Sequence, residues 1–103
     1  MDTLTTQYKD RVFFVSKEGC KYCALLEKDL EELGLDPKKL LLGKDVSQNV
    51  VDDIKSKTTQ KTFPMLFFGT EFIGGYDSFQ QLCYVGELQS KLKDTLGIQV
   101  ELF

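Results

Sequence analysis

The sequence has no histidine and no tryptophan, and it has only three cysteines in 103 residues. Without histidine there is no Cys–His or Ser–His pair, so acyl-transfer chemistry of the protease type is excluded. Structural zinc takes about four Cys or His ligands, and three cysteines cannot supply them. An odd and small cysteine count also argues against a secreted disulfide scaffold. No apolar run approaches the roughly 18 to 20 residues needed to cross a bilayer, and the acidic start Met1-Asp2-Thr3-Leu4 does not read as a secretory signal. The tail through Phe103 carries no prenylation cysteine. Positive charge is short as well: 13 Lys and Arg against 16 Asp and Glu leave a net charge of −3, which removes the broad basic field of nucleic-acid binders.

What remains is ordinary globular composition, 42% hydrophobic and 28% charged, in a chain sized for one domain spanning 1–103. We expect a soluble, cytoplasmic protein in a reducing compartment, where a close cysteine pair is redox-active or metal-binding. Arg11-Val12-Phe13-Phe14-Val15 is an unbroken β-branched and aromatic run, suited to a central strand buried on both faces. Leu26, Leu30 and Leu33 then recur at helical spacing, with acids between them and Gly34 at the end, and predict an amphipathic helix beginning near Cys20. The run Leu40-Leu41-Leu42 reads as a second strand, parallel to the first through a βαβ crossover. Ser47 can cap a further helix carrying Val50 or Val51 and Ile54. Met65–Phe68 and Glu71–Ile73 flank Gly69-Thr70, a type II′ hairpin turn. Asp77 reads as the cap of a last helix, in which Phe79, Leu82 and Cys83 form a stripe that Leu88, Leu92 and Leu96 extend to Gly97. A short helix over Thr3 to Lys9 precedes the first strand. The fold class is therefore α/β, with a mixed sheet flanked by helices.

The chemistry centres on Gly19-Cys20-Lys21-Tyr22-Cys23, where the first strand hands over to the first long helix. A helix N-terminus presents unpaired N–H groups and the positive end of the dipole, both of which stabilise a thiolate. Cys20 is the candidate nucleophile and Cys23, on the same helical face three residues on, the resolving thiol. Lys17 and Lys21 add positive charge beside it. The competing readings are half of a zinc site and chance spacing; the strand-to-helix setting favours redox chemistry. Cys83 reads as a buried small hydrophobe, with glutathionylation or dimerisation as the alternative.

Three separated motifs resemble those of the glutaredoxins, in the thioredoxin superfamily, and the likeness covers nearly the whole chain. Cys20-Lys21-Tyr22-Cys23 looks like that family's Cys-Pro-Tyr-Cys site, Thr62-Phe63-Pro64 like its Thr-Val-Pro, and Gly74-Gly75-Tyr76-Asp77 like its Gly-Gly-x-Asp element. The resemblance implies a thioredoxin-like fold with a four-stranded mixed sheet, a cis Phe63–Pro64 bond, and a glutathione-dependent thiol–disulfide oxidoreductase in which Cys20 and Cys23 are catalytic. Glutathione is the implied cosubstrate, and no tightly bound cofactor is expected. The backbone of Phe63 would pair with an extended ligand like an added strand, and Asp77 with the helix N–H groups would take the γ-glutamyl ammonium and carboxylate. Lys17, with Lys61 or Gln60, would meet the glycyl carboxylate, and Tyr22 would lie beside the glutathione sulfur. Thr62, Pro64, Gly75 and Tyr76 complete the implied glutathione site.

Each of these residues also has a plainer reading: an ordinary turn at Thr62-Phe63-Pro64, an N-cap at Asp77, a solvated lysine, a packed tyrosine. The partners implied are glutathionylated or disulfide-containing proteins and, indirectly, a glutathione reductase, with the chain a monomer away from nucleic acid and membranes. Lys21 stands where the family has proline, which relaxes the helix start and places a charge near Cys20. Two alternatives stay open: a dimer holding a [2Fe–2S] cluster through Cys20 with glutathione as co-ligand, and a thioredoxin-like general disulfide reductase. The absence of tryptophan and the Gly-Gly-Tyr-Asp element weigh against the latter.

Overall fold

Along the chain the elements are α1 (Asp2–Gln7), β1 (Val12–Ser16), α2 (Lys21–Glu32), β2 (Lys38–Leu41), α3 (Gln48–Lys57), β3 (Met65–Phe68), β4 (Glu71–Gly74), α4 (Tyr76–Tyr84) and α5 (Leu88–Leu96). The structure, a computed structural model, describes residues 1–100; the last three residues of the expected 1–103 domain lie outside the described residues, as does the end of the tail read for a prenylation signal. The sheet order is β2-β1-β3-β4. β1 runs parallel to β2, with Val15 opposite Leu40, and antiparallel to β3, with Phe14 opposite Leu66. Every residue of β1 and of β3 is buried, as two inner strands covered on both faces require. β3 and β4 form the expected hairpin, Phe68 opposite Glu71, with φ of 61° at Gly69 and no positive φ at Thr70, the signature of a type II′ turn.

Alternation along the inner strands assigns their side chains to two cores. Val12, Phe14, Leu66 and Phe68 pack against Leu26 and Leu30 of α2, Phe79 of α4, and Leu88 and Leu92 of α5. Phe13, Val15, Met65 and Phe67 pack on the other face against Leu4 of α1 and Val51 and Ile54 of α3. There the rings of Phe13 and Phe67 stack at 4.7 Å. Helices on both faces of a mixed sheet form the thioredoxin-like arrangement expected from the motifs.

The structure corrects four expectations. β2 begins at Lys38, two residues before the apolar run, and of its four residues Leu40 alone is buried, because it is a sheet edge. The last helix is two helices: Gly86, at φ 75°, breaks the leucine pattern between α4 and α5. Cys83 is exposed rather than core, since only Phe79 of α4 is fully covered. Asp77 is not the cap of α4; Gly75 holds that position and Asp77 lies in the first turn.

Candidate functional site

β1 ends at Ser16, and the loop after it turns through Gly19 at φ 73° to deliver Cys20 as the N-cap of α2. Cys20 has extended backbone angles, φ −86° and ψ 106°, and its sulfur accepts a hydrogen bond from the Cys23 N–H at 3.2 Å. Sulfur therefore occupies the place where a Ser or Asp oxygen caps most helices. Cys20 and Cys23 are joined in a disulfide with Cα atoms 5.2 Å apart. Cys20 is half-buried, whereas Cys23 is 3% exposed and packs with Leu26 and Leu30. The pair thus has an outer sulfur that a substrate can reach and an inner one that it cannot. Lys21 is exposed in the first turn of α2, and the Lys17 ammonium lies 5.5 Å from the centre of the Phe63 ring.

The second component is the segment leading into β3. The Phe63–Pro64 peptide is cis. Gln60 holds this segment: its Nε2 donates to the Thr62 carbonyl at 2.7 Å, with Thr62 Oγ1 at 3.2 Å and the Pro64 carbonyl at 3.4 Å. A Cβ on Gly75 would lie 2.7 Å from that same nitrogen, so a larger residue there would push the Gln60 amide off the loop.

The third component is that helix start. Gly74 turns the chain at φ 128°, and α4 then begins at Tyr76 with no side-chain cap. Its first N–H groups lack intrahelical partners, and they carry the positive end of the helix dipole. Tyr22, Gln60, Thr62, Phe63, Pro64, Gly75, Tyr76, Asp77 and Ser78 enclose a groove of about 260 Å³. Tyr22 is 54% exposed at its mouth, its ring 6.1 Å from that of Tyr76. The Tyr76 hydroxyl donates to Asp29 Oδ2 at 2.7 Å. That hydrogen bond, with burial, pushes the Tyr76 phenol up to about 12.

Most residues singled out in the sequence therefore converge: Tyr22, Thr62, Phe63, Pro64, Gly75, Tyr76 and Asp77 line one groove. Lys17 reaches it through its contact with Phe63. Lys61 points elsewhere, its Nζ donating to the Lys55 carbonyl at 2.6 Å at the end of α3. Ser78 and Asp29 were not legible in the sequence; Asp29 lies 47 residues from its tyrosine partner, beyond any local pattern. A second groove of about 490 Å³ flanks the disulfide on its β2 side, where Cys20 and Cys23 lie near Lys17 and Lys39. Among the described residues no three His, Cys, Asp or Glu side chains gather as ligands for a metal ion.

The family model described as glutaredoxin matches residues 12–73. Glutaredoxin-1 of Rhizophagus irregularis is 33% identical, over 70% of this chain and 81% of that protein. Glutaredoxin-1 of Saccharomyces cerevisiae is 30% identical, over 86% of each. The crystal structure of a buckwheat glutaredoxin–glutathione complex superimposes with a TM-score of 0.77 at 25% identity, covering 90% of this chain and 87% of that one.

Proposed function

Because the chain belongs to the glutaredoxin family, a family of thiol–disulfide oxidoreductases, we propose that it is a dithiol member that uses glutathione to reduce glutathione mixed disulfides and protein disulfides. The observation that carries this reading is the position of Cys20, a helix-capping sulfur backed by a buried Cys23, at the start of the helix whose Tyr22 lines the groove with Phe63, Tyr76 and Asp77. The buckwheat relative solved in complex with glutathione supports the choice of ligand.

In the reduced protein the Cys20 thiolate, favoured by the N-terminus of α2 and by Lys17 and Lys21, attacks the glutathione sulfur of a mixed disulfide. That S–S bond breaks, the substrate thiolate leaves and takes up a proton, and a Cys20–glutathione disulfide forms. A second glutathione thiolate attacks the bound glutathione sulfur, releasing glutathione disulfide and the Cys20 thiolate. With a protein disulfide, Cys20 forms the mixed disulfide and the Cys23 thiolate attacks its Cys20 sulfur. The substrate then leaves as a dithiol and Cys20–Cys23 remains oxidised, the bond present in the structure. Two glutathione molecules reduce it. In the groove, the Phe63 backbone pairs with the cysteinyl segment of glutathione, the first turn of α4 takes the γ-glutamyl carboxylate and Asp77 its ammonium. Lys17 faces the glycyl carboxylate.

The test is an assay on a glutathione mixed disulfide coupled to glutathione reductase, followed by NADPH loss. Cys23→Ser should retain turnover and Cys20→Ser should abolish it. Turnover that survives loss of Cys20 would sink the assignment.

A further inference from the structure

We propose that Asp29 and Tyr76 are positioning residues whose hydrogen bond holds the start of α4 at a fixed separation from the start of α2, and so sets the glutathione groove relative to Cys20. The inference rests on the glutathione reading above and assigns a task to two side chains that do not touch the reacting sulfurs. Cys20 stands at the N-cap of α2, while Gly75, Tyr76 and Asp77 open α4. A ligand whose sulfur meets Cys20 and whose γ-glutamyl end meets α4 spans both helix starts, so it binds with both ends engaged only when their separation matches its length.

The sheet ties the start of α4 to β3, since Gly74 ends β4 opposite Leu66, but among the described residues no backbone hydrogen bond ties it to α2. It follows two glycines and has no side-chain cap hydrogen bond. Tyr76, its first residue, supplies the missing restraint. Its ring lies between those of Tyr22, at 6.1 Å, and Phe79, at 6.3 Å. Its hydroxyl crosses to Asp29 on α2 at 2.7 Å in a partly buried setting. A charge-assisted O–H donor to a carboxylate is short, directional and stronger than a neutral pair. With its proton directed at Asp29, the phenol is not free to donate to a ligand, so Tyr76 serves the groove by placing Gly75 and Asp77 rather than by donating to glutathione. Asp77, Gln80 and Cys83 of α4 line a groove with Asp29, and Glu32 of its own helix lies nearby; Gln80 also reaches Tyr76 but from within α4, so among the described residues the hydrogen bond from the Asp29 side chain to α4 is the one to Tyr76.

The test compares Tyr76→Phe, Asp29→Ala, Asp29→Asn and the Tyr76→Phe/Asp29→Ala double variant in the coupled assay, together with the rate at which iodoacetamide alkylates reduced Cys20. Tyr76→Phe and Asp29→Ala should each raise KM for the glutathione mixed disulfide by about fivefold with kcat little changed, a loss of about 1 kcal/mol of binding. Asp29→Asn, which keeps an acceptor oxygen, should restore KM towards that of the unaltered protein. The double variant should be no worse than either single one, because both remove the same interaction. Cys20 alkylation should keep its rate. Unchanged KM in both single variants, additive effects in the double, or slowed Cys20 alkylation would each overturn the inference. If the unaltered protein shows no saturable turnover of the mixed disulfide, the functional reading fails and this inference with it; saturable turnover that Tyr76→Phe leaves unmoved fails the inference alone.

Discussion

A thiol takes its reactivity from what surrounds its sulfur, and the three cysteines of this chain have three different surroundings. Cys20 caps a helix at the surface, Cys23 is sealed under it, and Cys83 is exposed on α4 beside Asp29. Partial burial, and secondarily the negative charge of Asp29, pushes the Cys83 thiol above the ordinary value. A raised value means that less thiolate is present at neutral pH, so exposure alone does not make Cys83 reactive. In a Cys20→Ser/Cys23→Ser protein, where Cys83 is the remaining thiol, iodoacetamide should react more slowly than with free cysteine at pH 7.5, and the two rates should converge as pH rises. Equal rates at neutral pH would contradict the effect of burial. The stripe of Phe79, Leu82 and Cys83 suggested a core position because helical spacing reports a face but not how wide a face the neighbours cover. Here the cover stops at Phe79.

At the scale of elements, what could be read from the sequence followed from local chemistry. The run at β1 is apolar throughout because an inner strand must be apolar on both faces, and Gly69 marked its hairpin because a type II′ turn needs the positive φ. Ser47 caps α3 as expected, its hydroxyl oxygen accepting from the Val50 N–H at 3.4 Å. Since α3 covers one face of the sheet with Val51 and Ile54, Ser47→Ala should lower stability by about 1 kcal/mol, measured by urea unfolding, with turnover unchanged because the cap is on α3, away from the groove. A loss near zero would show that the bond is too long to matter. Two of the misread features share a cause: glycine is ambiguous. Gly86 lies inside the stretch read as one helix and acts as a left-handed break, and Gly75 holds the cap that Asp77 was expected to provide. The Asp29–Tyr76 bond joins two elements far apart in sequence, so nothing in either segment announced it.

Over the whole molecule the charge is −3, and glutathione, the ligand proposed for the groove, is itself a net anion. Distribution resolves the conflict. Lys17 lies at the groove beside Phe63 and Lys21 follows Cys20 in the first turn of α2, while Glu31 and Glu32 are exposed at the far end of that helix. At low ionic strength the nearby cations act over distances of about 10 Å or more, and added salt screens them. Raising salt from about 20 to about 200 mM should therefore lower kcat/KM for a glutathione mixed disulfide by about threefold. Lys17→Gln should remove much of that dependence. Lys61→Gln should preserve it, because the Lys61 ammonium is directed at the Lys55 carbonyl and away from the groove. The sequence placed Lys17 and Lys61 together as partners for the glycyl carboxylate, and the two variants separate them: equal loss of salt dependence in both would mean that Lys61 swings back to meet the ligand, whereas loss confined to Lys17→Gln assigns the steering charge to the lysine that already faces Phe63.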